Sequence, residues 1–226
     1  MFRILILLIF AIKSFIIFSQ NISSETYIKD IEGQIYKTAV IGKQEWMIEN
    51  LKVTKYNNGT TIPNIIDSLQ WTKLKSGAWV YYKNDTLNNS KYGKLYNWYT
   101  LDSKTNGNKN VCPLGWHVPT DIEWGVLITY LGGDSLAGGR MKSVDTSNWE
   151  SPNTDATNSS LFNGLPAGGR NNSGYFYYVG KHGYWWSSSE TDKYNAWNCF
   201  LNNLNGEVAR FSNYKVLGLS VRCLKD

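Results

Sequence analysis

Three cysteines, two histidines and a late run of aromatic and amide side chains are the parts of this 226-residue sequence that could do chemistry. Cys112, Cys199 and Cys223 are an odd set, so in an oxidising compartment two can pair and one is left over. No CxxC pair or Cys/His spacing of a zinc site occurs, and no metal or cofactor is expected. His117 and His182 are isolated, and a Ser/His or Cys/His nucleophile needs a positioned base. His117 lies in the turn PLGWHVPT and is expected to pack or hydrogen-bond at a helix entry. Glycoside hydrolysis would need two facing carboxylates. Glu190 and Asp192 are the one acidic pair that follows an aromatic cluster, and they read as a solvated turn. No catalytic residue is assigned.

Aromatics remain. Ten Trp and 15 Tyr accompany only 18% charged residues. Sugars carry flat apolar CH faces between hydroxyls, so an exposed ring beside Asn side chains can hold one. Core packing competes for the same residues, because Trp is usually deeply buried. Trp185 and Trp186 are consecutive in a strand-like run and must point to opposite faces, so one is expected in the core and the other at the surface or under a loop.

These residues must be positioned by a chain with enough apolar material for a sizeable core, which excludes a disordered protein. No Lys/Arg patch marks a nucleic-acid binder. Residues 1–20, MFRILILLIFAIKSFIIFSQ, have the layout of a secretory signal peptide: Arg3, an apolar stretch, then small and polar residues. Lys13 interrupts the stretch, and no later span is long and apolar enough to cross a bilayer. Arg3 and Lys13 carry two of the five excess positive charges, so the chain beyond Gln20 is left at +3 and its charge says little about partners.

One domain is expected over 22–226, of α+β class. Residues 27–53 read as β structure with turns at Gly33 and Gly42. The run 92–99 is too aromatic for a solvent loop and suits a short helix or strand. The clearest helix follows Pro119. Thr120 and Glu123 form a capping box, and Trp124, Leu127, Ile128 and Leu131 recur at helical spacing before Gly132-Gly133. A weaker helical piece covers 135–143, and 144–174 reads as long irregular structure. Strands are expected at 184–188, at 196–201 and 207–211 around a hairpin at Asn205-Gly206, and at 217–224.

Six strings fall in order: IGKQEWMIENLK (41–52), YGKLYNWY (92–99), VCPLGWHVPTDIEW (111–124), LPAGGR (165–170), GYWWSSSE (183–190) and GLSVRCLKD (218–226). Together they resemble the Fibrobacter succinogenes major paralogous domain family, whose members occur on exported and surface proteins and have no established biochemistry. More remotely the layout is similar to the C-type lectin-like fold, shared with the formylglycine-generating enzymes. That resemblance implies short antiparallel sheets, one or two helices and long loops. It also implies a disulfide between Cys112, just before the capped helix, and Cys223 on the last strand, which leaves Cys199 unpaired.

The two lectin-like groups also imply chemistry that the residues do not repeat. A copper-binding cysteine pair is not in place, since Cys199 and Cys223 lie in the wrong context. The calcium-binding EPN or QPD string is absent, and Trp197-Asn198-Cys199 only partly matches a WND strand. The ligand-binding half implied by the resemblance contains Tyr175, Tyr177, Trp185, Trp186, Trp197 and Asn198, which are the candidate binding residues. Trp46, Trp98, Trp116 and Trp124 lie in the strings and are expected to build the fold. The resulting expectation is an exported or cell-surface, non-enzymatic module that binds glycan or a surface protein. An enzyme on a lectin-like scaffold and an envelope scaffold protein are the alternatives.

Overall fold

The computed structural model describes residues 26–226, and the leader expected over 1–20 lies outside the described residues. β1 (Thr26–Lys29), β2 (Ile35–Ile41) and β3 (Gln44–Met47) are antiparallel neighbours. Along β2 the covered face switches: Tyr36 and Thr38 are buried between the exposed Ile35 and Lys37, then Ala39 and Ile41 are buried around the exposed Val40, so the strand packs on one core cluster and then on the other. Gly42 turns β2 into β3 at φ +66°. Next come α1 (Ser68–Thr72), β4 (Trp79–Val80), α2 (Asn88–Tyr92) and β5 (Leu95–Tyr96), with β4 and β5 paired. The aromatic run 92–99 is thus split between the end of α2, a two-residue strand and the start of a 3-10 turn over Trp98–Thr100.

After β6 (Trp116–His117) comes α3 (Asp121–Tyr130). Its capping box is complete: Glu123 N donates to Thr120 Oγ1 at 3.2 Å, and Thr120 N donates to Glu123 Oε2 at 2.7 Å. Trp124, Leu127, Ile128 and Leu131 are all buried, as their spacing requires. Gly132 and Gly133, both at positive φ, lead into α4 (Asp134–Met141). The irregular stretch that follows reaches β7 (Gly169–Arg170) and β8 (Phe176–Tyr177), a small hairpin. β9 (His182–Glu190), β10 (Asn195–Asn202) and β11 (Ala209–Tyr214) form a three-stranded antiparallel sheet.

Two expected elements have shifted bounds. The hairpin around Asn205-Gly206 forms, but β10 runs to Asn202 and β11 begins at Ala209 rather than at 207. The loop between them docks on α4: Gly139 N donates to Gly206 O at 2.8 Å, and a Cβ on Gly138 would meet Glu207 O at 2.1 Å. Likewise the expected last strand over 217–224 shrinks to β12 (Leu224–Lys225). Residues 218–220 thread between three different elements and bridge them singly, Gly218 to Arg170, Leu219 to Tyr96 and Ser220 to Trp185. β12 itself lies between β3 and β6 in a five-stranded sheet of order β1-β2-β3-β12-β6. Cys223 beside it is bonded to Cys112 across a separation of 111 residues, the pairing that the resemblance implied. In the chain-entropy model such a closure stabilises by about 4.7 kcal/mol.

Buried cations hold the irregular segments. Arg222 is sandwiched against Phe162 and Trp185, with its guanidinium carbon 4.1 and 5.4 Å from their ring centroids. It donates to Asn50 Oδ1 at 2.9 Å and to the carbonyls of Phe162 and Asn163. Arg170 stacks on Trp71 at 4.6 Å and donates to the carbonyls of Ile65, Ile66 and Gly174. Lys142 donates to the carbonyls of Thr154, Asn202 and Asn205. A buried charge is tolerable only when its donors are used, and here the backbone of the long loops uses them.

Candidate functional site

The six candidate binding residues end up in very different places. Trp185 and Trp186 are both fully buried. Trp185 packs edge-on to Phe162 at 5.6 Å and donates Nε1–H to Asn50 Oδ1 at 2.8 Å. Trp186 enters the other large core cluster and donates to Tyr96 O at 2.8 Å. Of the two places expected for the second indole, the surface or beneath other chain, the structure gives the latter: β9 is covered on both faces at this point. Asn198 is 1% exposed and donates Nδ2–H to Phe211 O at 3.0 Å. Trp197, its neighbour on the opposite face of β10, is half-buried. Tyr175 is exposed at the β7–β8 turn, where its N–H donates to Asn171 Oδ1 at 2.8 Å. Tyr177 is half-buried.

Trp185 joins a buried set of rings with Phe162, Trp46 and Trp124, whereas Tyr177 joins a continuous set that is part-exposed. Register explains the set. Tyr184 on β9 lies opposite Phe200 on β10, His182 opposite Asn202, and Phe211 on β11 opposite Asn198. Directly opposed residues share a face, so His182, Tyr184, Phe200 and Phe211 project from one side of the sheet. The hairpin β7–β8 brings Tyr177 and Tyr178 against them. Ring centroids are 5.7 Å apart for Tyr177–Tyr184, 4.3 Å for Tyr178–His182, 5.1 Å for Tyr184–Phe200 and 5.5 Å for Phe200–Phe211. Tyr178 is 54% and Phe211 47% exposed, and the four rings between them are half-buried. His182 Nδ1 and Tyr184 Oη share a hydrogen bond of 2.7 Å. Burial, helped by the charge of Lys181, lowers the His182 pKa and favours the neutral ring. Burial also raises Tyr177 and Tyr184 well above the usual phenol range, so the platform carries no charge of its own at neutral pH.

The alternation His182-x-Tyr184 facing Phe200-x-Asn202 is visible in the sequence once the hairpin is drawn, and it could have identified three of the missed rings. Tyr178 leaves no such signal, because it reaches the platform from a left-handed position (φ +59°) outside any strand.

Elsewhere the chemistry-bearing groups are committed to structure. His117 bonds Asp226 Oδ1 through Nδ1 at 2.6 Å and Glu123 Oε1 through Nε2 at 3.0 Å, which ties the chain end to the entry of α3. Glu190 pairs with Lys104 and with the buried Lys215, and those two lysines hold its carboxyl below the usual range. Asp192 accepts from Tyr194 N and Asn195 N, closing the β9–β10 turn. Cys199 is buried, which pushes its thiol up to about 12, far from a nucleophilic thiolate. Among the described residues no group of three or more His, Cys, Asp or Glu side chains is placed to hold a metal ion.

Compared with known proteins, residues 40–225 match the family model of the Fibrobacter succinogenes major domain. No curated protein and no solved structure matches the chain. The matched region runs from the exposed end of β2 to the last strand and takes in both ends of the disulfide. The chain belongs to the Fibrobacter succinogenes major domain family.

Proposed function

We propose that this protein is an exported, non-enzymatic binding module that holds glycan on the platform of Tyr177, Tyr178, His182, Tyr184, Phe200 and Phe211. The observation that carries this reading is the unbroken chain of ring contacts across three strands and a neighbouring hairpin, with both end rings about half exposed. Rings that contribute only to a core are covered on all sides. These are covered on one side and present apolar edges and faces to solvent, beside the hydroxyls and amide of Tyr177, Tyr184 and Asn202. Export is supported by the leader-like composition of residues 1–20 and by the disulfide, which belongs to an oxidising compartment. A C-type lectin-like arrangement is part of the proposal. It is supported by the Cys112–Cys223 bond between the entry of α3 and the last strand, and by a separate three-stranded sheet that carries the candidate site.

The tilt of the rings favours a second reading. Adjacent planes in the platform meet at 35° to 89°, so they do not form one flat strip. A tilted set suits a single sugar residue or the irregular surface of a protein better than the flat face of a long polysaccharide. A glycan array probed with the folded chain tests the choice. Binding to defined oligosaccharides, weakened by Tyr178→Ala, supports the glycan reading. A folded sample that binds none of them, and instead captures one envelope protein through the same rings, supports the protein partner.

A further inference from the structure

A second surface, on the α3–α4 side of the molecule, has a different chemistry. Two adjoining hollows of about 510 and 330 Å3 share Arg140 and Ser159 in their linings. Tyr130, the last residue of α3, walls the larger one. A Cβ on Gly42 would come within 2.9 Å of two Tyr130 ring carbons, so the ring lies flat on the backbone of the β2–β3 turn. Only glycine allows that approach, and its φ of +66° is a second reason for glycine there. The ring is nevertheless 62% exposed, so its other face is open to solvent, and its hydroxyl has no hydrogen-bond partner among the described residues. Val40 and Leu161, both at least half exposed, add apolar wall on either side.

Arg140 is the unusual member. The other two arginines that line irregular backbone spend their donors on three acceptors each. Arg140 makes one hydrogen bond, Nη1–H to Leu131 O at 3.1 Å, and no ion pair among the described residues. Its guanidinium has five donors. Most of a planar, permanently charged fork is therefore free at the junction of two hollows, beside an open ring face and the hydroxyl-bearing Ser159 and Thr157. Asp155 also lines the smaller hollow and disfavours a dianion such as a phosphate monoester. A single carboxylate matches the fork in charge and in geometry.

We infer that this groove binds an acidic sugar residue of the uronic acid class, with its carboxylate on Arg140, an apolar ring face on Tyr130 and its hydroxyls toward Ser159 and Thr157. The site is separate from the aromatic platform and does not depend on it.

Calorimetric titration of the purified chain with an oligogalacturonate, and with a neutral oligogalactoside of the same length, tests the inference. The uronate is expected to bind and the neutral chain to bind at least about tenfold more weakly, the factor that one charge-assisted hydrogen bond supplies. Raising the salt concentration is expected to weaken the uronate further. Arg140→Gln is expected to lower uronate affinity about tenfold or more, with Arg140→Lys falling between it and the wild type. The Arg140→Gln loss is expected to be the same in a Phe211→Ala background, so failure here is distinguishable from failure of the platform. Arg140 is exposed, so both variants are expected to keep the unfolding midpoint, which is checked first. No uronate binding to the folded chain, equal affinity in wild type and Arg140→Gln, or preference for a non-sugar carboxylate such as an acidic peptide would overturn the inference.

Discussion

Two adjoining parts of one strand do opposite things. At Trp185 and Trp186, β9 is enclosed: one indole meets Phe162 and the guanidinium of Arg222, the other meets the cluster around Tyr96 and Trp98. At His182 and Tyr184 the same strand is covered on one face only, and its rings join Phe200 and Phe211 in a half-open platform. Aromatic density alone does not separate the two. What separates them is what packs on each face: Phe162 and Arg222 lie against Trp185 and the cluster around Tyr96 against Trp186, whereas the platform end is flanked by the β7–β8 hairpin without being capped. Residues 218–220 run beside this part of β9, bonded in the plane of the sheet to Tyr184 and Trp186.

Substitutions at the two ends can break this contrast. The largest effect is expected at the enclosed end. Trp185→Ala removes a fully buried indole and strips one stacking face from Arg222, and is expected to cost about 3–5 kcal/mol in urea unfolding. Arg222→Ala belongs to the same class, because it leaves the Phe162 and Asn163 carbonyls without their donor and Asn50 Oδ1 with Trp185 Nε1–H alone. Replacing both Cys112 and Cys223 by Ser comes next, with an expected loss of about 2–5 kcal/mol, since the bond ties the threading segment to mid-chain. At the open end, Tyr178→Ala and Phe211→Ala are expected to cost less than about 1 kcal/mol each, because both rings keep about half of their surface in water. Equal costs at the two ends would dissolve the comparison.

The smallest effect is a pH dependence at a third place, the entry of α3. Burial disfavours the charged form of His117, but hydrogen bonds to Asp226 and Glu123 outweigh it, and its pKa is raised. Burial likewise opposes ionisation of Glu123, but the backbone and hydroxyl of Thr120 and the His117 ring outweigh it, and its pKa is lowered. The histidine contribution is complete below the unfolded value of about 6.5 and is lost as pH rises through the raised folded value. The glutamate contribution is present above about 4.5 and is lost as pH falls through the lowered folded value. The pair therefore stabilises most between about pH 4.5 and 6.5. His117→Gln is expected to flatten that window, by less than about 1 kcal/mol because both groups are partly exposed. Unfolding midpoints measured from pH 4 to 8 for both proteins check it.

Much of the frame was legible before any coordinates. The capping box and the stripe Trp124, Leu127, Ile128 and Leu131 place α3, because local hydrogen bonds and one buried face decide a helix. The disulfide was legible only through the resemblance, since three cysteines leave the choice of pair open. The site was legible in part. Tyr177 belongs to the platform, but Trp185, Trp186 and Asn198 are buried, because strand periodicity says which face a residue takes and not whether another segment covers that face. Residues 218–220 make no regular ladder, so nothing in their pattern announces that they run beside β9. The buried cations were also hidden. Arg170, Arg222 and Lys142 look like surface charges in composition, and only the positions of loop carbonyls show why they are inside.

As a proposed binding surface, the platform should be dispensable to the fold. The most direct test is retention of the double variant Tyr178→Ala/Phe211→Ala on the oligosaccharide that the wild type binds best, with its unfolding midpoint measured alongside. A loss of affinity of about tenfold or more with a nearly unchanged midpoint is the predicted result. Unchanged retention by a variant that is equally stable would contradict it.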